Sequence, residues 1–335
     1  MKAWQVTAHG EPAGVLSLAD VPVPSPAPGQ VLVKVRAAAL NFPDVLLCRG
    51  QYQVRPELPF VPGVELCGEV AEIGDEPPGD EVPGVDLPKL GTRVIGNPAL
   101  PHGALAEYAL MNATEAFAAP ASLDDAEASA LHIAYQTGWF ALHRRARLQA
   151  GETLLVHAAA GGVGSAAVQL GKAAGARVIA VVGGAEKAET ARRLGADLVV
   201  DRKAEDFVTA VKQATQGRGA DVVFDPVGGE AYTGSARCTA FEGRIVVVGF
   251  AGGTVPAPPL NHALIKNYSI LGLHWGLYKQ RDPASVAAAH TELAGLAAAG
   301  TIKPLIGGRF ALGEAVEALT ALGAGESVGR LVVLP

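Results

Sequence analysis

Between Val31 and Arg36 the side chains alternate: Val31, Val33 and Val35 fall on one face of a strand, and Lys34 and Arg36 on the other. Turn residues then recur at short intervals. Pro22, Pro24, Pro26, Pro28-Gly29, Pro62-Gly63, Gly74-Asp75, Pro77-Pro78-Gly79 and Gly96-Asn97-Pro98 cut residues 1 to about 120 into short strands, an all-β texture that predicts a small barrel-like domain. The proline-rich, acidic stretch from Asp75 to Pro88 has no periodicity and reads as an exposed loop between two strands.

From about residue 126 strands alternate with helices, which implies crossover connections and a parallel sheet. The pattern predicts strands over Thr153–His157, Arg177–Val182, Asp197–Val200, Asp221–Asp225, Arg244–Gly249 and Ser269–Leu273. Between the first two, Val163, Ala167, Leu170 and Ala174 repeat at helical spacing, and Gly175 stands where a left-handed C-cap is wanted. The last residues, such as Gly329-Arg330-Leu331-Val332-Val333-Leu334, return to β-like segments. The expected division is therefore a discontinuous first domain, 1–125 with 262–335, and a second domain, 126–261, inserted within it.

The 335 residues exceed the size at which one core usually stops growing, and 49% hydrophobic with 18% charged residues is a globular composition. A formal charge of −6 and only 5% aromatic residues argue against nucleic acid as a partner. No apolar run reaches the ~20 residues a membrane span needs, and Met1-Lys2-Ala3-Trp4-Gln5-Val6 lacks a signal-peptide core, so a cytoplasmic protein is expected. Cys48, Cys67 and Cys238 form no C-x-x-C pair and read as buried free thiols. The eight histidines are scattered singly, and no metal site is expected.

Directly after the first strand of the second half comes Ala158-Ala159-Ala160-Gly161-Gly162-Val163-Gly164. Gly161, Gly162, Val163 and Gly164 between strand and helix point to a dinucleotide loop, where backbone N–H groups and the helix dipole meet pyrophosphate. The second strand ends in Val182-Gly183-Gly184-Ala185-Glu186-Lys187, without the carboxylate that bonds the ribose 2′-hydroxyl of NAD. Gly183 leaves room for a 2′-phosphate, and Lys187 and Arg202 are the cations that would neutralise it. NADP(H) is the expected cofactor. The alternative for both cations is an ordinary solvated surface position.

Five segments together, Ala158–Gly164, Ala39-Leu40-Asn41-Phe42-Pro43-Asp44, Pro62-Gly63-Val64-Glu65, Asp221–Gly228 and Gly243–Gly249, resemble the medium-chain dehydrogenase/reductase superfamily, in its zinc-free, ζ-crystallin-like quinone oxidoreductase branch. The resemblance runs nearly end to end. It implies an α/β chain with a GroES-like β-barrel catalytic domain and a doubly wound parallel Rossmann domain, with hydride transfer in the cleft between them. By the same resemblance Asn41 and Thr137 lie near the nicotinamide, Tyr52 faces the substrate and is the candidate donor to its oxygen, and Phe250 and Ala251 cover the nicotinamide side. Tyr52 capping a barrel loop, and Phe250 and Ala251 packing at a strand end, are the structural alternatives. Zinc-dependent relatives carry a cysteine near the position of Asn41 and a histidine at that of Val64, and neither valine nor asparagine offers such a ligand.

Without that Lewis acid, activated acceptors are favoured: a quinone or an enone takes hydride directly, because the developing charge delocalises onto an oxygen that hydrogen bonds stabilise. An enoyl-thioester reductase, and a low-turnover NADPH-binding protein of crystallin type, remain open beside this reading. A homodimer is expected through the last strand, since Tyr268–His274 is apolar and carries no lysine or proline to protect an edge.

Overall fold

The alternation at Val31–Arg36 falls inside a ten-residue strand whose two faces separate as the pattern requires: Val31, Val33 and Val35 are buried, and Lys34 and Arg36 are exposed. The structure is a computed structural model that describes residues 1–75, 83, 86–325 and 327–335. The loop expected between Asp75 and Pro88 lies largely outside the described residues.

The chain divides into two units, Met1–Ile133 with Asp282–Pro335, and Ala134–Arg281. In the first, β1 (Lys2–Val6) and β2 (Leu16–Asp20) form an antiparallel pair. A larger antiparallel arrangement follows from β3 (Gln30–Ala39), β4 (Leu66–Ile73), β5 (Arg93–Gly96), β6 (Tyr108–Asn112) and β7 (Ala116–Ala118), with β3 flanked by β4 and β6. The inward valines of β3 meet Leu66, Val70, Val94 and Met111 in one core. Helix α1 (Phe42–Cys48) leaves the end of β3 and carries its first turn beneath the segment that precedes β4.

Helix α2 (His132–Trp139) leads into the second unit and continues as a π-helical segment, Phe140–Arg145. Then follow β8 (Thr153–His157), α3 (Gly162–Ala173), β9 (Arg177–Val182), α4 (Ala185–Arg193), β10 (Leu198–Asp201), α5 (Phe207–Ala214), β11 (Ala220–Asp225), α6 (Gly229–Cys238), β12 (Thr239–Val247), α7 (Leu260–Lys266) and β13 (Ser269–Gly272). The sheet order is β10-β9-β8-β11-β12-β13 with every pair parallel, so the order reverses beside β8 and the loops at that point lie at the carboxyl ends of the strands. Gly175 closes α3 at φ 75°, the left-handed position expected of it.

Three boundaries differ from the expectation. The first unit runs to Ile133 rather than 125, and Ile133 N–H is held by Glu65 of that unit. Residues 262–281, assigned with the first domain, belong to the second unit, because β13 pairs residue by residue with β12 from Arg244↔Ser269 to Val247↔Gly272. β12 itself starts at Thr239 rather than Arg244, since Ala220 already pairs with Thr239 across a register shift. After α8 (Pro283–Ala298) the chain rejoins the first unit through β14 (Ile306–Ala311) and β15 (Arg330–Leu334), and Val332 pairs with Ala39 of β3. The three cysteines are buried and free.

Candidate active site

In the first unit the motif residues of α1 and β4 form one buried polar network. Asn41 begins α1, and its backbone N–H donates to Asp44 Oδ2 at 2.8 Å. Asp44 Oδ1 accepts from the N–H groups of Gly63 and Val64, both at 3.0 Å, so one carboxylate ties the helix start to the segment ahead of β4. The Asn41 amide donates to Ala39 O at 3.1 Å and Glu65 Oε2 at 2.9 Å, and its Oδ1 accepts from Arg330 Nη1 at 2.8 Å. Arg330 Nη2 also reaches Glu65 Oε2, while Glu65 Oε1 accepts from Ile133 N–H at 2.6 Å. All four side chains are buried.

Burial governs the electrostatics. It pushes Asp44 up to about 7, against the three backbone donors and Arg330, and it pushes Glu65 up against the pull of Arg330. Tyr52 and Val64 pack against an apolar cluster of Val6, Val15, Leu47, Cys48 and Phe60. Burial and then the Asp44 charge raise the Tyr52 phenol, so it keeps its proton. Among the described residues nothing hydrogen-bonds its hydroxyl, which leaves that donor available.

In the second unit the strand-to-helix turn is tight. Ala158 stands at φ 50°, Gly161 N–H donates to Ala158 O at 2.8 Å, and α3 begins at Gly162 with Val163 and Gly164 in its first turn. A Cβ on Gly164 would lie 2.1 Å from Ala158 O, so only glycine brings helix and loop this close. The end of β9 is framed by cations. A Cβ on Gly183 would lie 3.3 Å from Arg202 Nη2 and 3.4 Å from Nε, and one on Gly184 would lie 4.0 Å from Lys203 Nζ. Asp201 Oδ1 accepts from the N–H groups of Gly184 and Lys203, at 2.8 and 3.0 Å, and fixes this corner. Lys187 stands in the first turn of α4.

The loop after β12 folds back on the end of β11. Ala251 N–H donates to Pro226 O and Gly252 N–H to Val227 O, both at 3.0 Å, while Asp225 Oδ1 accepts from Val227 and Gly228 N–H at 2.9 Å. Phe250 lies against Gly228, 2.9 Å from where a Cβ would stand. At the end of β8, His157 Nε2 meets Ser235 Oγ at 2.7 Å, and burial lowers this imidazole to about 4, with Asp225 opposing and Arg202 assisting.

These two constellations, a glycine turn under a helix start and a buried Asn-Asp-Glu-Arg network, can be set beside known proteins. Residues 27–121 match the alcohol dehydrogenase GroES-like domain, and residues 162–291 match the zinc-binding dehydrogenase family. A quinone oxidoreductase-like protein 2 homolog from Nematostella vectensis is 37% identical over 306 residues, 91% of this chain and 81% of that protein. The chain belongs to the quinone oxidoreductase branch of the medium-chain dehydrogenase/reductase superfamily. Among solved structures, the Escherichia coli quinone oxidoreductase complexed with NADPH superposes with a TM-score of 0.89 at 30% identity, over 100% of both chains. A mycobacterial protein complexed with NADPH gives 0.90 at 32%, again over 100% of both.

The zinc that one family description carries in its name does not fit this quinone oxidoreductase homologue. Val64 offers no ligand, the Asn41 amide is spent on Ala39, Glu65 and Arg330, and among the described residues no group of three His, Cys, Asp or Glu side chains could hold a metal ion.

Of the residues expected at the site, Gly161, Gly162, Val163 and Gly164 form the turn, Gly183 and Arg202 meet, and Phe250 and Ala251 cover the β11 turn. Thr137 is buried on α2, beside Gly138, which packs on Leu170 of α3. Both amide hydrogens of Asn41 are used within the protein, so its side chain is built to hold neighbours. Lys203, Asp225, His157 and Arg330 were not anticipated. Lys203 and Asp225 sit at strand ends, where a sequence search for charged residues finds them, but no local pattern ties Arg330 to Asn41.

Proposed function

We propose that this chain is an NADPH-dependent oxidoreductase that delivers hydride to a quinone or another α,β-unsaturated carbonyl. The observation that carries the cofactor half is Arg202 against Gly183: a cation meets the end of β9 where a 2′-phosphate would be held, while the neighbouring Asp201 carboxylate is engaged by the N–H groups of Gly184 and Lys203. Lys203 adds charge at Gly184, and Lys187 stands in the helix turn that follows. The turn at Gly161–Gly164 would hold the pyrophosphate on the N–H groups of α3. The relatives complexed with NADPH support the same reading.

When bound, NADPH supplies a hydride. The protein's part is orientation and charge. Asn41, fixed by Glu65 and Arg330, acts as a positioning residue that holds the β3–α1 corner, and Thr137, Phe250 and Ala251 shape the cofactor side of the second unit. Tyr52, kept protonated by burial, donates to the acceptor oxygen as charge develops on it. With valine at 64 and an asparagine committed to the fold, no Lewis acid assists, which favours acceptors that delocalise the charge themselves.

The same reading places the protein in the cytoplasm as a homodimer. No described helix is long and apolar enough to cross a membrane. Ile270 on β13 and Leu264 and Ile265 on α7 are exposed, the last two at 77% and 73%, and a second copy would cover them. One edge group is already used, since Gly272 O accepts from Arg145 Nε at 3.1 Å, so pairing along β13 requires Arg145 to move aside.

Steady-state NADPH oxidation with a quinone panel beside crotonyl-CoA and simple enones tests the proposal. Turnover of quinones or enones supports it, turnover of crotonyl-CoA alone replaces it with thioester reduction, and binding of NADPH without any turnover makes the protein a cofactor holder.

A further inference from the structure

The second unit contains a cavity of about 440 Å³ between α6, the 254–259 loop and α7, apart from the turn at Gly161–Gly164. That volume is in the range of small-molecule sites. Three of its lining residues bring polar atoms close together. Tyr232 Oη and Tyr268 Oη are 3.5 Å apart, and Tyr268 Oη is 3.5 Å from His262 Nδ1. The two tyrosines are only 3% and 6% exposed. Hydroxyl hydrogen bonds prefer about 2.7 Å, so all three groups are held at the outer limit of bonding, and an oxygen placed among them at about 2.8 Å from each would replace loose contacts with short ones.

The rest of the wall selects the ligand's character. Pro256, Pro258 and Ala236 present apolar surface to a flat ring, beside the two tyrosine rings. Arg237 lies one helical turn beyond Thr233 on the cavity side of α6, and Glu230 lies about two turns before it. One end of the cavity is therefore cationic and the other anionic, which orients a ligand with a single negative group.

We propose that this cavity binds a small aromatic acid bearing a second oxygen, with its carboxylate toward Arg237 and its other oxygen among Tyr232, Tyr268 and His262. Occupancy is felt at the β11 turn. Thr254, in the cavity wall, accepts from Gly229 N–H at 3.1 Å and stands 2.9 Å from the Cβ position of Gly228, the same position that Phe250 touches. A ligand that holds this loop in place changes the affinity for NADPH, and by linkage NADPH changes the affinity for the ligand.

The test uses the full chain and 4-hydroxybenzoate as probe, titrated by calorimetry with and without saturating NADPH. Saturable binding is expected in both states, with a dissociation constant that differs at least about threefold between them. Arg237→Ala should weaken the probe by about ten- to hundredfold, and Tyr268→Phe, which removes one hydroxyl only, by about three- to tenfold, while both keep the wild-type melting temperature. Absence of binding at about 10 mM probe, competition that NADPH wins outright, equal affinity with and without NADPH, or unchanged affinity in both variants would each overturn the proposal. Because binding is read without turnover, its failure is distinguishable from failure of the proposed reaction.

Discussion

Arg202 lays its guanidinium over Gly183, 3.3 Å from the point where any other residue would place a Cβ. Residues from the ends of two neighbouring strands thereby make one feature, a positive charge set against a glycine. Arg202→Ala should weaken NADPH by about five- to hundredfold and leave NADH within about twofold, because NADH has no group for the guanidinium to meet. Lys187→Ala should do less, since Arg202 and Lys203 are the cations that lie against the glycines. Gly183→Asp should reverse the preference, as its carboxylate would pair with Arg202 and repel a phosphate. Dissociation constants for both cofactors in the three variants check this, and equal losses for NADPH and NADH in Arg202→Ala would assign Arg202 to the fold instead.

The turn at the head of α3 makes a second prediction. Gly164→Ala places a methyl 2.1 Å from Ala158 O, a backbone atom that cannot swing away, and should cost at least about 2–3 kcal/mol together with most cofactor binding. Ala158→Gly should do the opposite for stability, because Ala158 holds a left-handed φ of 50° that strains an L-residue by about 1 kcal/mol. Denaturant midpoints of the two variants should move in opposite directions.

Arg330 and Glu65 are a buried ion pair that shares Asn41. Arg330→Met leaves the Glu65 carboxylate uncompensated and should cost about 3–5 kcal/mol, whereas Glu65→Gln combined with Arg330→Met should recover much of that loss. A double-mutant cycle by urea unfolding measures the coupling. Additive costs would show that the pair is not acting as one.

His157 and Asp44 pull the pH dependence in opposite directions. The His157 imidazole falls from 6.5 to about 4 on folding, so only the unfolded chain takes up its proton between those values, and stability is lost as pH falls through the window. Asp44 rises from 3.8 to about 7, so the folded chain holds the extra proton, and that contribution is lost as pH rises. The two largely cancel in the wild type. His157→Gln keeps a partner for Ser235 and removes only the first effect. The stability gap between wild type and this variant should therefore narrow by about 2 kcal/mol from pH 6.5 to pH 5, and a constant gap would mean that His157 does not titrate this way.

What the sequence made legible was local. The β3 alternation and the glycine turn after β8 are each written within a few residues, and each reappears in the structure, whereas the end of β9, which carries no carboxylate in its own sequence, receives that of Asp201 from the end of β10. The α3 cap at Gly175 belongs with the first two. What was missed depends on contact across the chain: Arg330 lies 289 positions from Asn41, and only the pairing of β15 with β3 brings them together. Asn41 read as a residue facing the reaction because its motif suggested it, but Glu65 and Arg330 had already claimed its amide. The second unit's boundary was drawn early at 262 for a similar reason, since four residues of β13 carry little periodicity and their allegiance is decided by hydrogen bonds to β12.

We propose hydride transfer from NADPH to a conjugated carbonyl without the help of zinc. The most direct measurement is the rate of NADPH consumption with a simple quinone, by purified protein assayed with and without a chelator, beside the same assay with NADH. The expected result is quinone-dependent oxidation of NADPH that the chelator leaves unchanged and that NADH supports poorly. Oxidation that requires zinc, or that prefers NADH, would contradict it.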